Sequence, residues 1–335
     1  MGSESRSPFR ERPLRAGDEA EVVELLARVF GHWPGRKTPV PAIEHLRWKL
    51  RSHEKAGKFH IVAEAGGELV GVRISLAREV KVKERILLVR QGADLAVHPD
   101  YQRRGVLSRM FEFRRQELDE TFDLAFGNTS HPATLKLDIR TGHRPLGNRI
   151  QVLECASFRS RVAEQAGGTQ PWTISAATTF DSRIDSFWEE ASKPFDFIVV
   201  RTRDYLNWRY CDVRSGITEV LIAEQDGVVI GYAALRAARI AGHIADLLVL
   251  PGRLEVASAL LREAFIRFAR TDVPTVQSWL PSHHPYGDLF RDAGFTFKNN
   301  MPFTYRPMRT AMAYLSFLDE PEAAVHLAAG DLDLI

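Results

Sequence analysis

The chain repeats itself, and that limits it to folds that can be used twice. Leu46-Arg47-Trp48-Lys49-Leu50 has its counterpart in Leu206-Asn207-Trp208-Arg209-Tyr210, 160 residues on. At the same offset Glu64 meets Glu224 and Gly71 meets Gly231, and Ile61-Val62-Ala63-Glu64 runs beside Leu221-Ile222-Ala223-Glu224. The offset then becomes 152, aligning Asp94 with Asp246, Pro99 with Pro251, Ser130-His131 with Ser282-His283, and Gly142 with Gly294. The change falls in a hairpin region, where loop length costs little. A repeat this long predicts two domains of one fold, not a solenoid of short units, and 335 residues is the right length for two.

Composition narrows the classes further. The chain is 44% hydrophobic and 26% charged, as soluble globular proteins are. A net charge of +2 makes no case for nucleic-acid binding. No apolar run approaches the ~20 residues a bilayer span needs, and the polar start, residues 1–12, lacks an apolar signal core. Two cysteines, Cys155 and Cys211, support neither a disulfide framework nor a metal cluster. Together these predict a cytoplasmic protein without a structural metal.

The halves differ most in one stretch. Residues 95–108 begin as an apolar strand (Leu95, Ala96, Val97) and bend at His98-Pro99. Gln102, Arg103, Arg104 and Gly105 then lead into Val106, Leu107 and Ser108 at a helix start. The first amides of a helix lack internal partners and carry partial positive charge, so such a loop can seat an anion. Gly105 lets a phosphate approach the backbone, and the two arginines add charge. The second copy reads Gly252-Arg253-Leu254-Glu255 after Pro251, without the Gln-x-x-Gly phrase and with a carboxylate where a phosphate would sit.

This stretch resembles the acyl-CoA signature of the GNAT (Gcn5-related N-acetyltransferase) superfamily, a strand ending in Val-x-Pro followed by Arg/Gln-x-x-Gly-x-Gly/Ala. Leu107 replaces the usual second small residue. The order β-α-α-β-β-β-α-β-α-β, read over residues 10–158, matches the same fold. The expected fold class is α/β (α+β): two GNAT-like domains, each a mixed, mostly antiparallel sheet flanked by helices. The first would span 1–160, a linker 161–175, and a degenerate copy with a C-terminal tail 176–335.

The elements can be placed from pattern. Asp18 with Glu21 predicts a capping box for a helix whose apolar face is Val22, Leu25, Leu26, Val29 and Phe30, ended by Gly31. A second helix carries Trp48. Strands follow over 59–65, 69–80 and 86–97, one helix over 105–119, a strand over 122–126, a short helix to Arg140 and a last strand over 150–158. A helix is expected over 310–318, then an acidic tail whose Asp331 and Asp333 read as a solvated face.

The resemblance implies acetyl transfer from acetyl-CoA to an amine on a small molecule or peptide. The backbone of Gln102 to Leu107, with the Ser108 hydroxyl, would hold the pyrophosphate. Leu95, Ala96 and Val97 would pair with the pantetheine arm and present an amide to the thioester oxygen as it gains charge; Asn128 would either bond that arm or cap its turn. Family members often carry a glutamate on this strand. Counting back by two from Val97 gives Leu95, Ala93 and Gln91, none a carboxylate, and Asp94 on the other face reads as structural. His131 is the remaining base candidate; packing beside Pro132 is its alternative. Asp138 stands where the family's acid tyrosine is expected. A non-catalytic acyl-CoA-binding or regulatory module is the alternative function, and a mycothiol-synthase-like enzyme a further one. The degenerate half would pack, shape the acceptor cleft or dimerise.

Overall fold

A computed structural model describes residues 9–35, 38–129, 131–163, 170–217, 219–308 and 311–332. In chain order the first half gives β1 (Arg10–Pro13), α1 (Glu19–Phe30), α2 (Ala42–Leu50), β2 (Ile61–Ala65), β3 (Glu68–Val82) and β4 (Arg85–Val97). It continues with α3 (Val106–Glu112), α4 (Arg115–Thr121), β5 (Leu124–Asn128), α5 (Pro132–Arg140), β6 (Arg144–Pro145) and β7 (Ile150–Cys155). After α6 (Phe158–Ala163) come β8 (Thr173–Ala177), α7 (Arg183–Ala191), β9 (Phe197–Val199), α8 (Arg203–Leu206), β10 (Glu219–Gln225), β11 (Val228–Ala238) and β12 (Ala241–Val249). The chain ends in α9 (Leu254–Ala269), β13 (Val276–Pro281), α10 (Gly287–Asp292), β14 (Thr296–Met301), β15 (Phe303–Pro307) and β16 (Val325–His326).

Two sheets form, ordered β1-β2-β3-β4-β5-β15-β6 and β14-β7-β13-β12-β11-β10-β8. Within these orders only β4·β5 and β12·β13 are parallel. This is the expected class of mixed, mostly antiparallel sheets with helices on their faces. On one face of the first sheet, Val22, Leu25 and Leu26 of α1 and Leu46 of α2 pack on Val72, Ile74, Ala93 and Ala96. On the other, Val106 and Met110 of α3 pack on Ile61, Ala63 and Leu95.

The ends of the halves are exchanged. β7 lies in the second sheet, between β13 and β14, and β15 in the first, between β5 and β6. The strand expected to close the first half is present but closes the other. A reading by order alone cannot see this, because sequence fixes a strand's period and not the edge it joins. The same symmetry shows at the repeat landmark. Trp48 and Trp208 stack with centroids 4.8 Å apart. Trp48 Nε1 donates to the Trp208 carbonyl at 2.9 Å, and Trp208 Nε1 to the Trp48 carbonyl at 3.3 Å. A contact in which each residue does to the other what is done to it marks a local two-fold, as in an isologous dimer interface.

Four local expectations change. Asp18 sits at the start of α1 without capping it, because its carboxylate accepts from Arg12 at 2.6 and 3.1 Å and from the Arg15 amide at 2.7 Å. The helix expected over 105–119 breaks at Phe113, which is extended, and Arg114, at φ 56°. The break lets Met110 and Leu118 serve separate apolar clusters on the two sides of it. The expected linker ends at β8, which begins at Thr173 and pairs with β10; residues 164–169, with Gly167 and Gly168, lie outside the described residues. Over 311–319 the chain is a 3-10 helix, not an α-helix.

The C-terminal segment overturns the surface reading of Asp331. This residue is fully buried and pairs with Arg201 at 2.9 Å, while Arg201 also reaches Asp246 at 3.1 Å. The Tyr210 and Tyr232 hydroxyls donate to Asp246 at 2.9 and 2.6 Å, and His326 meets it at 3.1 Å. Burial opposes charge on Asp246, yet Arg201, His326 and Tyr232 outweigh burial and hold its carboxyl well below the usual range. Asp333 lies outside the described residues. Asp246→Ala leaves Arg201 short of a partner in a dry interior, and removing one side of a buried pair costs about 3–5 kcal/mol. A urea titration should show the midpoint fall accordingly; an unchanged midpoint would mean this network does not hold the tail.

Candidate active site

The first sheet splits open beside β4. β4 and β5 share three ladder pairs, ending at Gln91 with Phe126. Past that point the parallel strands part, and Gly92 is exposed in the middle of a central strand. Asp94, at φ 39°, is an extra residue: Arg73 faces Leu95 and Ile74 faces Ala93, so Asp94 faces nothing. A bulge of this kind resets the alternation of side chains. The face that carries Val97 and Leu95 therefore continues through Gly92 and Arg90, not through Ala93 and Gln91. Ala93 packs with Ala96 on the α1 and α2 side. This corrects the count by two made from sequence.

Asp94 is structural, as expected. Its carboxylate accepts from Trp33 Nε1 at 2.8 Å and pairs with Lys49 of α2. That contact ties the bulge to the helix that carries Trp48.

Of the strand residues expected to meet a cofactor, Leu95 and Val97 face α3, while Ala96 is buried on the opposite side. All three ladder with β3. β5 supplies them with no pair, so their edge toward β5 is unclaimed by a strand. Asn128, the last residue of β5, has a buried Nδ2 with no hydrogen-bond partner.

The loop after β4 keeps its backbone open. Gln102, Arg103, Arg104 and Gly105 are exposed. Arg103 has φ 60° and Gly105 φ 83°, left-handed conformations that turn the chain into α3. A Cβ at Gly105 would meet nothing within 4 Å. Among the described residues neither Arg103 nor Arg104 pairs with a carboxylate; Arg104 lies 5.4 Å from the Tyr101 ring centre. Val106 is buried, Leu107 half-buried and Ser108 exposed. One expectation narrows: the Gln102 amide donates to Pro99 at 3.2 Å, and the Gln102 side chain donates to the Val97 carbonyl at 3.2 Å. Gln102 shapes the loop, and its backbone amide is engaged.

His131 precedes α5 and is exposed, its amide donating to Thr129 Oγ1 at 3.1 Å. Ser130 lies outside the described residues. Asp138 is half-buried; burial pushes its carboxyl up to about 6, with Arg90 pulling the other way.

Several residues at the fork were missed. Arg90 is buried and donates to Ser75 Oγ at 3.0 Å. Arg73, Gln91 and Thr304 are buried with side-chain polar atoms that have no partner. Thr304 comes from the exchanged strand, opposite Gly127. The sequence signal was available for Arg73, Arg90 and Gln91, which are polar residues inside otherwise apolar strands. None was available for Thr304.

The second half opens the same way and fills the gap. β12 and β13 part after Ile244 with Ser278. The C-terminal segment lies there, with a Cβ at Gly330 2.9 Å from the Ala245 carbonyl. What remains is a cavity of about 10 Å³ bordered by Asp246, Ser278, Trp279 and His326, about one water's worth. Glu255, on the first turn of α9, pairs with Arg253.

With this geometry in hand, comparison is direct. Residues 10–133 match the family model described as an acetyltransferase (GNAT) domain. Residues 10–133 thus carry a GNAT domain. A GCN5-related N-acetyltransferase structure from Anabaena variabilis aligns at TM-score 0.68 and 12% identity, over 90% of this chain and 74% of that one. A tandem GNAT protein from the clavulanic acid biosynthesis pathway aligns at 0.60 and 16%, over 90% of this chain and 99% of that one. A structure from Sphaerobacter thermophilus, also a GCN5-related N-acetyltransferase, aligns at 0.54 and 20%, over 90% and 96%. At these identities the likeness is one of fold, and the fold is shared with a tandem GNAT protein. No curated protein matches the sequence.

Proposed function

We propose that the N-terminal GNAT domain transfers an acetyl group from acetyl-CoA to the amine of a small molecule or peptide in the cytoplasm. One observation carries the reading: among the described residues only the first half combines a parted β4·β5 pair with an open loop at Gly105 whose arginines pair with no carboxylate. The amides of 103–107 would hold the pyrophosphate, with Arg103 and Arg104 adding charge and the Ser108 hydroxyl close by. The β5-facing edge of Leu95 to Val97 would align the pantetheine arm as an added strand, with the Asn128 amide group as a further donor. Acetyl-CoA supplies an activated acyl group. The protein's main task is alignment, since an oriented neutral amine attacks a thioester readily.

The amine must lose a proton, and the exposed imidazole of His131 is the base we assign. His131→Ala should lower kcat by roughly 10²–10⁴; a parent-like kcat would leave the proton to solvent.

The lack of a strand carboxylate and the aspartate at 138 favour a second reading, a non-catalytic acyl-CoA-binding or regulatory module. Thiol release from acetyl-CoA over a panel of amines decides. Release with any amine supports the transferase, whereas tight binding with no release supports the module.

A further inference from the structure

The fork between β4 and β5 holds more positive charge than its fold explains. Arg73 is 3% exposed, and its Nε and Nη2 are buried without hydrogen-bond partners. Its guanidinium lies 5.3 Å from the ring centre of Phe111 on α3. Arg90 is 6% exposed and reaches along β4 until Nη2 stands 3.7 Å from where a Cβ of Gly92 would be. Among the described residues no carboxylate forms an ion pair with either. Burial presses on both cations, with Arg90 adding repulsion at Arg73 and Arg306 adding it at Arg90, which is lowered to about 10. The nearby acids do not settle the account. Asp119 is engaged by Arg306 at 2.7 and 3.2 Å, and Asp138 is itself pushed toward its neutral form.

A desolvated cation left without an anion is costly, so two of them on the sheet face of an exposed glycine call for a ligand. Register places Arg73, Ser75, Gly92 and Arg90 on the same sheet face as Leu95 and Val97, the face covered by α3. The phosphate loop leads into that same helix, so this is the side on which a bound acyl-CoA would lie. We propose that Arg73 and Arg90 receive a carboxylate at the far end of the acyl group. The preferred donor is then a short dicarboxylic monothioester of CoA, of the malonyl or succinyl class. Gly92 leaves the room that such a chain needs, and Ser75 holds Arg90 in place. This rests on the acyl-CoA reading above and names its substrate class.

Calorimetry of the full chain with succinyl-CoA, butyryl-CoA and CoA itself tests it, because binding is read without an acceptor. Succinyl-CoA should bind about tenfold or more tighter than butyryl-CoA, the scale of a charge-assisted contact. Arg73→Met should bring succinyl-CoA down to the level of butyryl-CoA. That variant removes an unpaired buried charge, so it should unfold at the same or a higher urea concentration than the parent, which separates lost contact from lost fold. Should Arg73→Met not fold, the parent's succinyl-to-butyryl ratio decides alone. Equal affinity of the parent for the two thioesters, with CoA still binding, overturns the carboxylate proposal and leaves the acyl-CoA reading intact. No binding by any of the three overturns both.

Discussion

Residues 1–163 expressed alone should not fold. They include β7, whose two neighbours are in the second half, and they lack β15, which lies between β5 and β6. Phe303 and Tyr305 of β15 are buried in the cluster that also holds Val89 and Phe126. Full burial of one such side chain contributes about 1.5–3 kcal/mol, against a net domain stability of about 5–15 kcal/mol. The same cluster takes Phe180, Phe187 and Phe197 from beyond residue 163, so the fragment would expose a large apolar face as well as two unpaired strand edges. Co-expression of 1–163 with 164–335 as separate chains should restore a soluble complex that purifies as one species. A monomeric 1–163 with a cooperative urea transition would show the exchange to be dispensable.

Gly105→Glu should abolish affinity for CoA and leave the fold intact. The fold is expected to tolerate it because the position is exposed with open space around it, and a carboxylate at a helix start is favourable. The left-handed φ of 83° adds about 1–2 kcal/mol of strain for a residue with a Cβ. Charge is the larger effect on binding. Two like charges about 4 Å apart at an effective dielectric near 20 repel by about 4 kcal/mol, which lowers affinity by roughly a hundredfold or more. Gly105→Asn separates the two causes, since asparagine visits this conformation and carries no charge; it should keep affinity within about tenfold of the parent. Equal losses for both variants would assign the effect to backbone strain.

Period and punctuation made most elements legible. α1 ends at Gly31, which takes φ 78°, where the sequence placed its stop. The repeat landmark became a physical contact, Trp48 on Trp208. What failed was what depends on which partner a side chain or strand meets in the folded chain. Asp18 was lost as a cap to Arg12, and β7 and β15 traded sheets. The bulge at Asp94 mattered most for the site. One extra residue turned the strand face from Gln91 to Gly92 and Arg90, and no single-sequence pattern marks a bulge. Asp331 looked like a solvated acid because composition cannot show that Arg201 waits for it.

The central claim is that the first half, and not the second, seats a nucleotide's phosphates on the backbone around Gly105. A crystal structure with acetyl-CoA bound measures this most directly. The account predicts the pyrophosphate within hydrogen-bond distance of amides among residues 103–107, with the pantetheine arm along Leu95 to Val97. A nucleotide seated against Gly252 to Glu255, or lying away from the parted β4·β5 pair, would contradict it.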